Sequence, residues 1–287
     1  MILTYLSSSC NHYNQGEVTY LLHFFLLLFQ FFRLSHADYS SKGVRMNTHS
    51  LENISNGARV AVSVSGGLDS VTLLHYVAKH VSPANTFAIS FDYNQRHDLE
   101  LSRAREQAQA AGLPAENYKV VDVRFLGDIA ANVSAMVKSD LEIPNVEDTL
   151  GDPQPVSYMP MRNLIFSSLV AAFAESNNCE YVALGIQETD QHGYWDTTPA
   201  FVEALQGVLD LNRKTTIQLL TPFVRMSKAE ELRIGAELGI DYSKTWTCYN
   251  PLWLDKQTPV ACGKCSSCAD RRNAFRSIGL EDPLQYA

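Results

Sequence analysis

From Arg59 the chain alternates apolar and polar positions, breaks at Ser65-Gly66-Gly67-Leu68-Asp69-Ser70, and resumes with apolar residues on one helical face to Tyr76. That pattern predicts a strand, a Gly-rich turn and a helix. A second strand is predicted over Thr86–Phe91, ending in Asp92-Tyr93-Asn94-Gln95-Arg96-His97. Asp98–Gly112 follows as a helix, with Leu99, Leu101, Ala104, Ala108 and Ala111 near one face and Gly112 as its stop. Tyr118–Val123 reads as a third strand, residues 125–137 hold a short helix, and the proline-rich stretch Lys138–Pro160 reads as a long loop. Beyond it come an apolar helix over Arg162–Ser176, a strand over Glu180–Ile186, a helix over Thr198–Leu211 and a strand over Thr216–Leu220. The last predicted helix is Ser227–Leu238, opened by a Ser227/Glu230 capping box and stopped by Gly239. Strands alternating with helices at this spacing make an α/β fold with a doubly wound, mostly parallel five-stranded sheet. Such sheets bind ligands beyond the carboxyl ends of their strands.

Residues 1–45 do not share this pattern. Tyr20–Phe32 is a dense apolar run, but it is shorter than the ~20 residues a membrane span needs, and it lacks a clean signal-peptide pattern. We expect this segment to be a mis-assigned start or a disordered leader, with the true start at Met46. The remainder divides into an α/β nucleotide-binding domain over 46–243 and a C-terminal cysteine-bearing region over 244–287. The composition of the 287 residues, 46% hydrophobic and 19% charged, is that of a globular protein. A net charge of −8 speaks against a broad grip on nucleic acid. We expect a cytoplasmic protein with no membrane and no stable nucleic-acid partner.

The break after the first strand carries the chemistry. Gly66 and Gly67 allow tight backbone geometry, and the first-turn N–H groups of the following helix face whatever anion sits there. Ser65 and Ser70 add hydroxyls, and Asp69 suits Mg²⁺ through water. These six residues resemble the SGGxDS signature of the PP-loop ATP pyrophosphatases, with no Walker GK[ST] following. The resemblance implies a Rossmann-like fold of the adenine nucleotide alpha hydrolase type, and ATP split between its α and β phosphates to activate a substrate oxygen. The second cluster is Cys262, Cys265 and Cys268 in a CxxCxxC run, with Cys248 upstream. Four thiolates suit one structural tetrahedral zinc, and the same set could hold an iron–sulfur cluster or carry sulfur as a redox pair.

Further motifs follow in order. They are Phe91–His97, Pro160-Met161-Arg162-Asn163, Gly185 with Glu188-Thr189-Asp190, Gly193-Tyr194-Trp195-Asp196, Phe201–Leu205 and Thr245–Asn250, closed by the cysteine run. Together they make the chain from Arg59 to its end similar to the 7-cyano-7-deazaguanine synthase family. That resemblance implies ATP-dependent conversion of 7-carboxy-7-deazaguanine and ammonia into a nitrile, and a homodimer. It implies ATP contacts at Ser63, Val64, Ser65, Gly66, Gly67, Leu68, Asp69, Ser70, Val71, Thr72 and Leu73. Substrate contacts fall at Tyr93, Gln95, Arg96, His97, Arg162, Asn163, Asp190, Tyr194 and Asp196, with Asp69, Ser70 and Arg162 catalytic, Mg²⁺ on the ATP and Cys248, Cys262, Cys265 and Cys268 on zinc. The family usually carries Gly where this chain has Asn94 and Met161, and an Arg where it has Thr198. These departures leave a second reading, a related PP-loop enzyme that activates another deazapurine or modifies tRNA. A catalytically silent ATP- and zinc-binding module is a third, against which the intact Asp69 and loop serines speak.

Overall fold

The computed structural model describes residues 51, 54–55, 57–96, 98–149, 151–152, 154–187, 194–255 and 257–287, and Thr48–Ala287 forms one compact unit. The leader expected over 1–45 lies outside the described residues, as do His97 and Asp190. No helix among the described residues is long and apolar enough to cross a membrane.

Strands β1 (Val60–Ser63), β2 (Thr86–Asp92), β3 (Tyr118–Asp122), β4 (Tyr181–Ala183) and β5 (Gln218–Leu220) form one sheet in the order β3-β2-β1-β4-β5. Every pairing is parallel, with Val60 opposite both Thr86 and Tyr181. The chain winds outward from β1 to β3, then returns to add β4 and β5 on the other side. Neighbours β1 and β4 therefore flank the switch point, where an open parallel sheet leaves a crevice.

The pleat divides the apolar residues between two faces. Val60, Val62 and Ala88 point to a core under α1 (Leu68–Val81) and α2 (Leu99–Ala110), with Leu73, Leu74, Val77, Ala104 and Ala108. Ala61, Phe87, Ile89 and Phe91 point the other way, onto α4 (Arg162–Ser176) and α5 (Pro199–Leu209), with Val170, Ala174, Val202 and Leu205. Between β3 and α4 lies the short α3 (Phe125–Ala130). Helix α6 (Lys228–Glu237) begins at the Ser227/Glu230 capping box expected from sequence. Strand β4 is shorter than the predicted Glu180–Ile186. Leu184 still donates to the Leu220 carbonyl at 3.0 Å, but β5 ends there and Gly185–Ile186 has no ladder to join.

Two elements were not foreseen: a small hairpin of β6 (Leu252–Trp253) and β7 (Pro259–Val260), and helix α7 (Ser266–Ser277). Ala274 and Phe275 of α7 pack with Leu68, Val71 and Leu232 from α1 and α6. Arg271, 1% exposed, is the hub of this region. Its guanidinium donates to Asp282 at 2.9 Å, to Thr245 Oγ1 at 2.7 Å and to the Tyr242 carbonyl at 3.0 Å.

Asn94 and Met161, the positions the sequence comparison singled out, both sit in the left-handed region, at φ 63° and 57°. Asn tolerates that region through local hydrogen bonding, and Asn94 N donates to Asp92 Oδ1 at 3.2 Å. Met161 N likewise donates to the Tyr158 hydroxyl at 3.1 Å, but its unbranched apolar side chain offers no local hydrogen bond and is half exposed. Relief of ~1–2 kcal/mol of left-handed strain against ~0.5–1 kcal/mol of added chain entropy places Met161→Gly between neutral and about 1.5 kcal/mol stabilising. Chemical denaturation reads it, and a loss would mean that Met161 makes contacts worth more than its strain. Gly66→Ala has the opposite sign. A Cβ there, at φ +92°, would stand 2.1 Å from the Glu100 carbonyl oxygen and 2.9 Å from Ala104 N. Both neighbours are backbone, so about 2 kcal/mol or more is expected to be lost, seen as a lower denaturation midpoint.

Candidate active site and metal centre

The Gly-rich turn leaves β1 at the switch point and is knotted by one hydroxyl. Ser70 Oγ accepts from Ser65 N at 3.0 Å and Gly66 N at 3.2 Å, and lies 3.0 Å from Ser65 Oγ. Gly67 then opens α1 without a side-chain cap. The helix start therefore keeps first-turn N–H groups and the positive end of its dipole for a ligand. A cavity of about 250 Å³ opens at this point. Ser63, Val64, Ser65, Gly67, Asp69 and Ser70 line one end of it. Of the other residues expected to touch ATP, Gly66, Leu68, Val71, Thr72 and Leu73 stand behind the wall. Leu68, Val71 and Leu73 are buried in the cores, and Thr72 Oγ1 donates to the Leu68 carbonyl at 2.8 Å.

The same end holds charges that the sequence reading missed. Lys228 Nζ lies 2.7 and 2.9 Å from the two carboxylate oxygens of Asp69. Asp270 from α7 also faces the cavity. Burial raises the pKa of its carboxyl, Lys228 works to lower it, and Asp69 raises it further. Lys228 carried a legible signal. A lysine in the first turn of a helix opposes the dipole, which favours a nearby anion such as Asp69.

The other end is built from the strand ends and the start of α4. Arg162 and Asn163 line it with Tyr93, Gln95 and Tyr194, and so do Glu100 and Tyr249, which the sequence reading did not select. Burial works to lower the Arg162 pKa, but Tyr93, Tyr249, Tyr194 and Asp196 outweigh it and hold the guanidinium charged. Burial also drives the Tyr93 hydroxyl up to about 12, with Glu100 adding to the rise. The Glu100 carboxyl is pushed up to about 7 by burial, against the pull of Arg162. Gln95 is folded onto its own turn: its Oε1 accepts from Tyr93 N at 2.9 Å and its Nε2 donates to the Phe91 carbonyl at 3.4 Å.

Two of the expected substrate contacts stand outside this lining. Arg96 Nε donates to the Ala135 carbonyl at 3.1 Å, and its guanidinium also reaches the Leu141 carbonyl, so it pins the segment that presents Met136. Asp196 is 2% exposed and accepts from Asn163 N at 3.2 Å. Burial raises its carboxyl pKa, while Asn163 and Arg162 oppose the rise. Arg96 and Asp196 thus orient residues of the cavity wall.

Beside the Gly-rich turn lies the cysteine cluster. Cys248, Cys262, Cys265 and Cys268 are buried, with all four sulfurs within 4.8 Å of one another. Tetrahedral zinc thiolates at ~2.3 Å would stand about 3.8 Å apart, and the Cys262–Cys268 pair lies at 3.9 Å. Cys262 N points at Cys248 Sγ at 3.2 Å, and Lys264 N and Cys265 N both point at Cys262 Sγ at 3.4 Å. Donors aimed at sulfur suit thiolates, so the four residues fit a metal ion. The cluster is tied to the nucleotide loop. Trp246 N donates to the Gly66 carbonyl at 2.9 Å, and Ser267 Oγ to the Thr247 carbonyl at 2.8 Å, with Ser267 and Thr247 both lining the cavity.

The family model described as "Queuosine biosynthesis protein QueC" matches residues 59–279. The 7-cyano-7-deazaguanine synthase of Acaryochloris marina is 37% identical over 235 residues, covering 80% of this chain and 99% of the relative. That of Clostridium kluyveri is 36% identical, covering 79% and 97%. Among solved structures, the U34-tRNA thiolase NcsA from Methanococcus maripaludis overlays with a TM-score of 0.45 at 15% identity, covering 81% of this chain and 71% of that one, a likeness that carries no argument about chemistry. The match spans both the strand that delivers the nucleotide loop and the cysteines behind it, and the chain belongs to the 7-cyano-7-deazaguanine synthase family.

Proposed function

We propose that this protein converts 7-carboxy-7-deazaguanine and ammonia to 7-cyano-7-deazaguanine, the nitrile precursor of queuosine, using ATP. The observation that carries the reading is the two-ended cavity at the switch point. One end offers a helix start, hydroxyls and Lys228 to a polyphosphate, and the other offers Arg162 among tyrosines to a planar acid. The substrate carboxylate attacks the α-phosphorus, pyrophosphate leaves, and ammonia displaces AMP to give an amide. A second activation, on the amide oxygen, allows that oxygen to depart and the nitrile to form.

Asp69 would hold Mg²⁺, which supplies neutralising charge to the departing pyrophosphate. Lys228 and the loop N–H groups stabilise the same charge, and Arg162 orients the carboxylate. The four cysteines would hold one structural zinc, because a closed thiolate set leaves no position for substrate. We also expect a cytoplasmic homodimer, for which light scattering on the purified protein gives the mass.

Incubation with ATP, Mg²⁺, ammonia and 7-carboxy-7-deazaguanine should yield the nitrile by mass analysis. AMP release only with tRNA and a sulfur source would overturn the reading. Asp69→Asn should lose at least about 100-fold in turnover while remaining folded by circular dichroism. Lys228→Met should raise the KM for ATP about 10-fold or more, because a buried phosphate contact is worth at least ~1.4 kcal/mol. Near-normal kinetics in either variant would remove that residue from the phosphate site. Cys265→Ser should lose its metal, measured by elemental analysis, and become poorly soluble, because metal binding is coupled to folding. A soluble, metal-free, fully active variant would contradict the structural role.

A further inference from the structure

Resting on the reading above, the chemistry poses a problem that the named residues leave open. Ammonia brings three hydrogens, and the nitrile keeps none. In amidation a C–N bond forms, the C–O bond to the phosphate breaks with its electron pair going to AMP, and the nitrogen sheds one proton. In the second activation the amide oxygen bonds the α-phosphorus, the bond to pyrophosphate breaks, and the nitrogen sheds another proton. When the C–O bond to AMP then breaks and the triple bond closes, the last proton leaves. Each step needs a base beside the reacting carbon.

Most groups lining the cavity are unsuited to this. Arg162 is held protonated, Tyr93 is a phenol pushed to about 12, and Asp69 is held by the Lys228 ammonium at the phosphate end, where Asp270 also lies. Among the described residues, no histidine lines the cavity. Glu100 is different. It stands in the first turn of α2, and its own carbonyl is packed so closely on Gly66 that even a Cβ there would lie 2.1 Å away. It is therefore fixed to the loop that positions the α-phosphate, while it shares the cavity with Arg162, which orients the acid. We propose that Glu100 is the general base that takes the protons the nitrogen sheds during amidation and dehydration.

The facing groups are Tyr93 from the end of β2 and Arg162 from α4, with Lys228, Asp69 and Asp270 at the far end of the cavity. Burial holds the Glu100 carboxyl near 7, suited to accepting a proton at neutral pH and releasing it to solvent between steps.

The test separates the half-reactions in Glu100→Gln. Substrate-dependent exchange of labelled pyrophosphate into ATP needs no base for nitrogen and should persist within about 3-fold. Nitrile formation should fall by about 10²- to 10⁴-fold. The limb of the wild-type pH profile for ammonia that titrates near 7 should vanish, and Glu100→Asp should restore part of the rate. Folding is checked by melting. The folded state keeps the Glu100 proton up to about 7 against an ordinary 4.5, so wild-type stability falls as pH rises across that window. Glu100→Gln should accordingly melt no lower than wild type at pH 8. Equal loss of exchange and nitrile would make Glu100 a binding residue. A normal rate and pH profile would also overturn the assignment, and so would the same selective loss in His97→Asn with Glu100→Gln unaffected. Absence of exchange in the wild-type enzyme would overturn the ligase reading itself, and this assignment with it.

Discussion

The space left by one missing side chain organises this molecule. Gly66 sits at φ +92° with the Glu100 carbonyl and the Ala104 amide where a Cβ would be, while its own carbonyl accepts the Trp246 N–H. One residue thus locks together the turn after β1, the start of α2 and the segment that leads into the cysteines. The close approach is available only to glycine, because both its backbone angle and its neighbours exclude a side chain. Helix α1 and the segment leading to the four cysteines meet at this contact.

The C-terminal region is the other half of that lock. The Arg271 guanidinium, removed from water, is matched by the Asp282 carboxylate, the Thr245 hydroxyl and the Tyr242 carbonyl. A buried charge with each of its three nitrogens engaged specifies one arrangement of its neighbours, since leaving it unpaired costs ~3–5 kcal/mol. The arrangement it specifies brings α7 against α1 and α6, and presents Asp270, Ser267 and Thr247 to the cavity. A metal on the four cysteines would hold the same segment from the other side. The four cysteines lie outside the cavity lining, whereas Thr247 and Ser267, next in sequence to Cys248 and Cys268, line it.

The cavity separates its charges by task. At the end beside the Gly-rich turn the Lys228 ammonium pairs with Asp69, and Asp270 faces the same space. At the other end a permanently charged guanidinium is ringed by phenols, with a carboxyl held near neutrality by burial. The carboxylates of this cavity thus stand in different electrostatic surroundings. Asp69 has a cation at hydrogen-bond distance, whereas Glu100 feels Arg162 only as a partial offset to desolvation.

Local pattern alone determined much of this protein. The alternation of apolar residues at Val60–Val64, the Ser227/Glu230 cap and the Ser65–Ser70 turn each depend on neighbours a few residues away, so the order of strands and helices and the nucleotide loop were legible. The CxxCxxC spacing also announced its chemistry. Tertiary structure alone decided the rest. Lys228 meets Asp69 across 159 positions of chain. Arg96 and Asp196 turned out to brace the wall, and Glu100 acquired its altered proton affinity only by being enclosed. Helix α7 has few apolar residues and owes its place to Arg271 and the packing of Phe275. Backbone propensity and spacing are written within a few turns of chain, whereas burial and charge pairing exist only once distant segments exclude water from one another.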